Sequence, residues 1–205
     1  MIKIKTFDKL ADKSSIQKAA AALKKNGIEA IIVKDKEEAK KKVVELIPKG
    51  AEVMNMTSVT LDTAKISDEI LAGNYNAVRN KLNAMNKEKQ GSEMRKIGAG
   101  PDYTIGSVHA VTEDGKILVA SNTGSQLPAY AYGAENVIWV VGAQKIVKDL
   151  DEGMKRIYEY VFLLEDKRAQ KAYGVHTNVS KILIINKEIN PKRITLIIVE
   201  EVLGF

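Results

Sequence analysis

The chain has 205 residues, 45% of them hydrophobic and 28% charged, a balance that suits one globular domain over 1–205 and excludes a disordered or fibrous chain. There is no cysteine and there are only two histidines, which excludes disulfides, thiolate zinc sites, cysteine-ligated iron–sulfur clusters and a histidine-rich metal site. The net charge of +6 raises nucleic-acid binding, but the lysines interleave with glutamate, as in Lys34-Asp-Lys-Glu-Glu-Ala-Lys-Lys-Lys42, which is the pattern of a solvated helix face.

The start, Met1-Ile-Lys-Ile-Lys-Thr-Phe7, is too short and too charged for the apolar core of a signal peptide, and no apolar run reaches the length of a membrane span. A cytoplasmic protein is expected, with no membrane partner. Ile16, Ala19, Ala20 and Leu23 have helical spacing, and Asn26-Gly27 stops that helix. Residues 28–33 are a short β-branched run and read as a strand. Asp35 caps the next helix, with Glu38 three positions on, and Ala39, Val43, Leu46 and Ile47 supply its buried face. Residues 51–56 form a second strand that runs into Thr57-Ser58. Segment 61–98 reads as helical, with Tyr75, Val78, Leu82 and Met85 on one face and no chemistry of its own. A strand over 103–112, an Asp-Gly turn and a return strand over 117–120 make a hairpin. A helix is expected over 126–134, with Pro128 in its first turn. A buried strand over 137–141 follows, then a helix through Leu150, Met154, Ile157 and Val161, a further helical piece ending near Gly174, and strands over 181–185 and 194–199. This alternation predicts an α/β protein with a mostly parallel sheet flanked by helices. No helix-turn-helix pattern or aromatic-rich strand motif accompanies it, so nucleic-acid binding is not expected.

Two polar turns follow strands. Ser121-Asn-Thr-Gly-Ser-Gln126 offers hydrogen-bonding side chains and one glycine, so Asn122, Thr123, Gly124, Ser125 and Gln126 are candidates to cradle a phosphate or carboxylate; ordinary capping is the competing reading. Thr57 and Ser58 repeat the theme at the carboxyl end of a strand, where ligands of open α/β sheets bind. Lys145 stands just past strand 137–141 and is a candidate partner for an anion. On a continuous strand 103–112, His109 and Glu113 share a face, an arrangement suited to acid–base work. No Gly-x-Ser-x-Gly, Walker-type loop or dinucleotide fingerprint is present, and no cofactor is expected.

The stretches Asp102-Tyr-Thr-Ile-Gly-Ser-Val-His-Ala-Val-Thr-Glu-Asp-Gly115, Ala120-Ser-Asn-Thr-Gly-Ser-Gln-Leu-Pro-Ala-Tyr-Ala-Tyr-Gly133 and Val137-Ile-Trp-Val-Val-Gly-Ala-Gln-Lys-Ile-Val147 closely resemble the LUD (lactate-utilisation domain) family. The endings Glu165-Asp-Lys-Arg168, Ala172-Tyr-Gly174 and Glu201-Val-Leu-Gly-Phe205 are similar to a stand-alone branch of it. The resemblance implies a fold like that of ribose-5-phosphate isomerase, glucosamine-6-phosphate deaminase and class I CoA-transferases, and a link to lactate utilisation. Thr112-Glu-Asp-Gly115 is similar in shape to the Ser-Glu-Asn-Gly stretch of those transferases, which makes Glu113 the implied general base or acyl acceptor. Related LUD sequences often read Glu-Thr-Gly there, so Asp114 is a departure. The resemblance implies a small anionic metabolite as partner: a hydroxy acid, sugar phosphate or acyl-CoA. The alternative is a non-catalytic subunit working with iron–sulfur proteins of a lactate-oxidising complex. A homodimer is a further expectation.

Overall fold

The computed structural model describes residues 7–205, and the charged start over residues 1–6 lies outside them. Helix α1 (Lys13–Lys25) begins where the Asp12 carboxylate accepts the Ser15 N–H at 2.8 Å, and it buries Ile16, Ala19, Ala20 and Leu23 as one stripe. Strand β1 (Glu29–Val33) leads to α2 (Lys36–Leu46). Asp35 accepts from the Glu38 N–H at 2.9 Å while the Glu38 carboxylate reaches back to the Lys34 N–H, also at 2.9 Å, so two donors at the helix start are satisfied reciprocally. Strand β2 (Glu52–Asn55) is followed by four short helices, α3 (Val59–Thr63), α4 (Ile66–Leu71), α5 (Val78–Ala84) and α6 (Lys87–Ala99), with the two-residue β3 (Asn76–Ala77) between the middle pair.

Next come β4 (Tyr103–Gly106), β5 (Ala110–Thr112), β6 (Ile117–Ser121), β7 (Asn136–Gly142) and β8 (Ile146–Val147). Helix α7 (Leu150–Arg156) runs through a wider-wound turn into α8 (Phe162–Tyr173), and β9 (Lys181–Ile185) and β10 (Ile194–Val199) close the order. Six strands make a wholly parallel sheet in the order β1-β10-β7-β4-β2-β3. An α/β architecture with a mostly parallel sheet flanked by helices is therefore present. On β7, Val137, Trp139 and Val141 face one core cluster while Ile138 and Val140 face another. Both faces are covered, which is why this strand is apolar without alternation.

The stretch 103–112 is two strands. β4 belongs to the parallel sheet, but the chain leaves it at Ser107-Val108-His109, and β5 joins a second sheet in the order β8-β5-β6-β9. Strands 117–120 and 181–185 also belong to that second sheet. Apolar content alone cannot assign a strand to a sheet, because both sheets bury β-branched residues. Val111, Ile117 and Val119 of the second sheet join Trp139 and Leu196 of the first in one core cluster, to which α1 contributes Ile16, Ala19, Ala20 and Leu23. Ala110 and Leu118 pack the other way, against Ile157. The helix expected over 126–134 is present as a short helical segment over 127–133, wider-wound across Ala129–Gly133, with Pro128 in its first turn. Arg193 secures that segment by donating to the Ala129, Tyr130 and Ala134 carbonyls while pairing with Glu188 at 2.7 Å.

The β5–β6 hairpin tip rests on α1. Asn26 Nδ2 donates to the carbonyls of Asp114 and Gly115, each at 3.1 Å, and a Cβ on Gly115 would stand 2.7 Å from the Ala22 carbonyl carbon. Gly115 also has a φ of +82°, whereas Gly50, with a φ of +77°, has nothing within 4 Å of such a Cβ. Both Gly→Ala variants incur the left-handed backbone cost of about 1–2 kcal/mol. Only Gly115→Ala adds an overpacking cost of about 1–3 kcal/mol. Denaturant unfolding should therefore show Gly115→Ala to be the less stable variant by that second amount; equal losses would mean that the tip is not pressed against α1.

Candidate functional site

A cavity of about 1070 Å³ opens at the carboxyl ends of β2, β4 and β7 and is closed by α5, α6, α8 and the loop after β6. This is where ligands of open parallel sheets bind. Thr57, Ser58, Asn122, Thr123, Gly124, Ser125, Gln126, His109 and Lys145 all line it. The two polar turns that follow β2 and β6 thus line one cavity, although they stem from different sheets.

The turns are partly occupied with their own chemistry. Ser58 Oγ accepts the Leu61 N–H at 3.4 Å as the cap of α3. Ser121 Oγ accepts the Gly124 N–H at 2.8 Å and donates to Gln126 Oε1 at 2.9 Å, and Ser180 Oγ donates to Asn122 Oδ1 at 3.1 Å. The helical segment after this loop spans only residues 127–133, too short for a sizeable macrodipole. What the loop presents is side-chain polarity.

Glu113 does not line the cavity. Its carboxylate accepts from Ser15 Oγ at 2.8 Å and from Lys18 Nζ at 2.7 Å, and both donors lie on α1. The Lys18 and Ser15 contacts hold its carboxyl below the usual range. The expected pairing of His109 with Glu113 fails for a geometric reason: the strand breaks at 107–109, so the period-two rule does not run from one residue to the other. Asp114 is a turn residue, its carboxylate engaged by Thr112 and Lys116.

His109 and Lys145 are brought together instead. His109 Nδ1 accepts the Ala120 N–H at 3.0 Å, which assigns the ring hydrogen to Nε2. Burial, then Lys145 and Arg156, hold its pKa down to about 3, so the ring is a neutral N–H donor rather than a proton carrier near neutrality. Lys145 is 1% exposed, and its Nζ contacts Thr60 Oγ1 at 3.0 Å, Ser107 Oγ at 3.2 Å and the Val108 carbonyl at 3.2 Å. No carboxylate is among these partners. Burial, reinforced by Arg156, drives its pKa well below the lysine range. Lys145 therefore holds its proton less tightly than an exposed lysine does.

Most of the cations that face the cavity come from segment 61–98, which reads as chemically silent. Arg79 on α5 donates to the Asn55 carbonyl through Nε at 2.9 Å and Nη2 at 2.6 Å, and it has no carboxylate ion pair among the described residues. Lys87 and Arg95 on α6 and Arg168 on α8 also line the wall, against the carboxylates of Asp62 and Glu165. Arg168 is neutralised by Glu165 through two contacts of 2.7 Å. For Arg79, Lys87 and Arg95 the sequence signal was basic charge on amphipathic helices, which is the same signal that a solvated face gives.

A model of the LUD domain matches residues 16–199. Among solved structures, a DUF162 family protein from Deinococcus radiodurans covers 93% of this chain and 99% of its own at 11% identity, with a TM-score of 0.58. That likeness shows the fold alone. Ribose 5-phosphate isomerase from Plasmodium falciparum aligns over 77% of this chain and 80% of its own at 13% identity, with a TM-score of 0.36, too low to argue from. No curated protein matches the sequence.

Two outcomes follow from this geometry. Glu113→Gln keeps the shape of its side chain but loses the ion pair to Lys18; it should lower the melting temperature slightly and leave the affinity of any cavity ligand unchanged, as read by titration. For Lys145, the folded state holds the proton less tightly than the unfolded chain. Its stability cost is absent above the unfolded value of 10.5 and grows as pH falls toward the folded value. The melting temperature of Lys145→Met relative to the natural protein should therefore move in the variant's favour as pH is lowered from about 10 to 7. A difference that does not change with pH would mean that Lys145 titrates like an exposed lysine.

Proposed function

The chain belongs to the LUD domain family, and from that premise we propose that it binds a small anionic metabolite in the cavity at the carboxyl ends of β2, β4 and β7. The observation that carries this reading is Arg79. Its guanidinium is oriented by the Asn55 carbonyl, stands on the cavity wall and makes no salt bridge among the described residues, the Asp62 carboxylate acting on it only at longer range. A cation held in this way, with reduced access to water, favours a ligand carboxylate or phosphate. Lys87 and Arg95 at the rim extend the positive potential outward and draw anions in. Thr57, Ser58 and the loop Asn122, Thr123, Gly124, Ser125 and Gln126 supply neutral donors and acceptors that would orient the rest of the molecule.

Hydroxy acids and sugar phosphates both meet this description, and an acyl-CoA offers phosphates at one end. Among the hydroxy acids we favour lactate and its short-chain relatives, a preference supported by the resemblance to lactate-utilisation proteins. A ligand of this kind stabilises the folded state in proportion to its affinity. A thermal-shift panel of L-lactate, glycolate, glycerol 3-phosphate, ribose 5-phosphate and acetyl-CoA should give a concentration-dependent rise for at least one class. Arg79→Met should then weaken that ligand about tenfold or more, since a hydrogen bond to a charged group contributes about 1.5–3 kcal/mol. No shift across the panel, or an Arg79→Met variant that binds as before, would overturn the reading.

A further inference from the structure

Lys145 has a coordination that an anion-pairing lysine does not need. Thr60 Oγ1 donates its own hydrogen to the Leu203 carbonyl at 3.2 Å, so toward Lys145 it can only accept. The Val108 carbonyl can only accept. These two contacts absorb two N–H bonds of the amine. The third neighbour is Ser107 Oγ at 3.2 Å, a hydroxyl whose nearest other acceptor is the Val108 carbonyl at 3.5 Å. It can therefore turn its hydrogen toward the nitrogen or away from it. A neutral amine fits this set: two N–H bonds anchored, and one lone pair on the side of a mobile hydroxyl that lines the cavity. Beside it is His109, whose Nε2–H lacks a hydrogen-bond partner among the described residues.

We propose, building on the anion-site reading above, that Lys145 is a nucleophile that forms an imine with an anionic aldehyde or ketone, its carbonyl carbon at Ser107 and its carboxylate or phosphate on Arg79. The lone pair of Nζ attacks the carbonyl carbon, a C–N bond forms, and the C=O π pair moves onto oxygen. The His109 Nε2–H donates a hydrogen bond to that developing oxyanion without giving up its proton. Rotation about the Cε–Nζ bond then brings one N–H from its anchor to Ser107 Oγ, which accepts that proton and passes its own to the oxygen, giving the neutral carbinolamine. The second Nζ proton follows the same relay, the C–O bond breaks, and water leaves. The sum is amine plus carbonyl giving imine plus water, with no oxidant, reductant or external acid.

The oxo counterpart of a hydroxy acid and the open-chain form of a sugar phosphate share this chemistry, and the test separates them. The natural protein is incubated at pH 7 with pyruvate, glyoxylate or dihydroxyacetone phosphate, each with sodium borohydride, then digested and mapped by mass spectrometry. The expected result is a reduced adduct on the peptide that carries Lys145, at an occupancy at least about tenfold above any exposed lysine, because exposed amines stay protonated at that pH. Whichever carbonyl compound labels it identifies the ligand as oxo acid or sugar phosphate. Arg79→Met should cut that labelling severalfold, and neutral glyceraldehyde should label Lys145 no better than it labels the surface. Labelling spread evenly over the lysines, or none at Lys145, overturns the imine. Lactate or glycerol 3-phosphate can still stabilise the protein in that event, which would leave the anion site standing by itself. If neither labelling nor stabilisation occurs, both readings fall. Lys145→Arg should abolish the adduct while keeping the hydrogen-bonding capacity; because the map of the natural protein decides the matter alone, an unfolded variant does not rescue the proposal.

Discussion

The arrangement depends on a lysine buried where no carboxylate neutralises it. Lys145 leaves the end of β7 and ties Thr60, at the start of α3, to Ser107 and Val108, where the chain departs from β4. These contacts join the carboxyl ends of three parallel strands at the point where one of them breaks. Burying an ammonium is expensive, so the group is stable there only by shedding part of its basicity, and Arg156 next to it pushes the same way. A cost of that kind at one end of a sheet is characteristic of a site rather than of a fold.

The strand break has a second consequence. Because β5 turns away at Ser107-Val108-His109, the hairpin belongs to a separate sheet and its tip reaches α1 rather than the cavity. Glu113, Asp114 and Gly115 are therefore spent on docking: an ion pair to Lys18, an internal turn contact and a close approach to Ala22. The same departure exposes the edge of the loop after β6 to the parallel sheet, so that polar residues from two sheets meet across one space. His109, at the break itself, is locked from both sides: its Nδ1 by the Ala120 N–H and its carbonyl by Arg156 at 2.5 Å.

The cavity separates two kinds of positive group. Arg79 keeps its charge at any biological pH and is oriented by a backbone carbonyl. Lys145 is enclosed and poised to give its proton up. In the proposed chemistry one would bind charge, the other would offer a lone pair, and the neutral N–H of His109 would donate to a carbonyl oxygen as negative charge develops on it. Tyr130, packed edge-on to Trp139 with ring centroids 5.2 Å apart, closes the wall; a Cβ on Gly106 would fall 1.7 Å from its hydroxyl, so the strand end must be glycine for the ring to fit.

Much of the architecture was legible in the sequence. The helical spacing of Ile16, Ala19, Ala20 and Leu23, the Asp35–Glu38 cap and the β-branched runs at β1, β7 and β10 each report a local rule: period, capping or propensity. The polar turns at Thr57-Ser58 and 122–126 were legible as candidates because they follow strands, and they do line one cavity. Sheet membership was not legible, since a period of two says which way a side chain points but not which sheet its strand joins, and a single break reverses every inference carried across it. That is why Glu113 looked like a partner of His109 and is instead bound to α1. Position past strand 137–141 marked Lys145 as a candidate, but spacing could not show that it is buried, nor distinguish Arg79 from the many other basic residues of the chain. Their roles depend on what surrounds the charge: a carbonyl and a cavity for one, exclusion of water for the other. Those surroundings are assembled from segments far apart in the chain and exist only once it has folded.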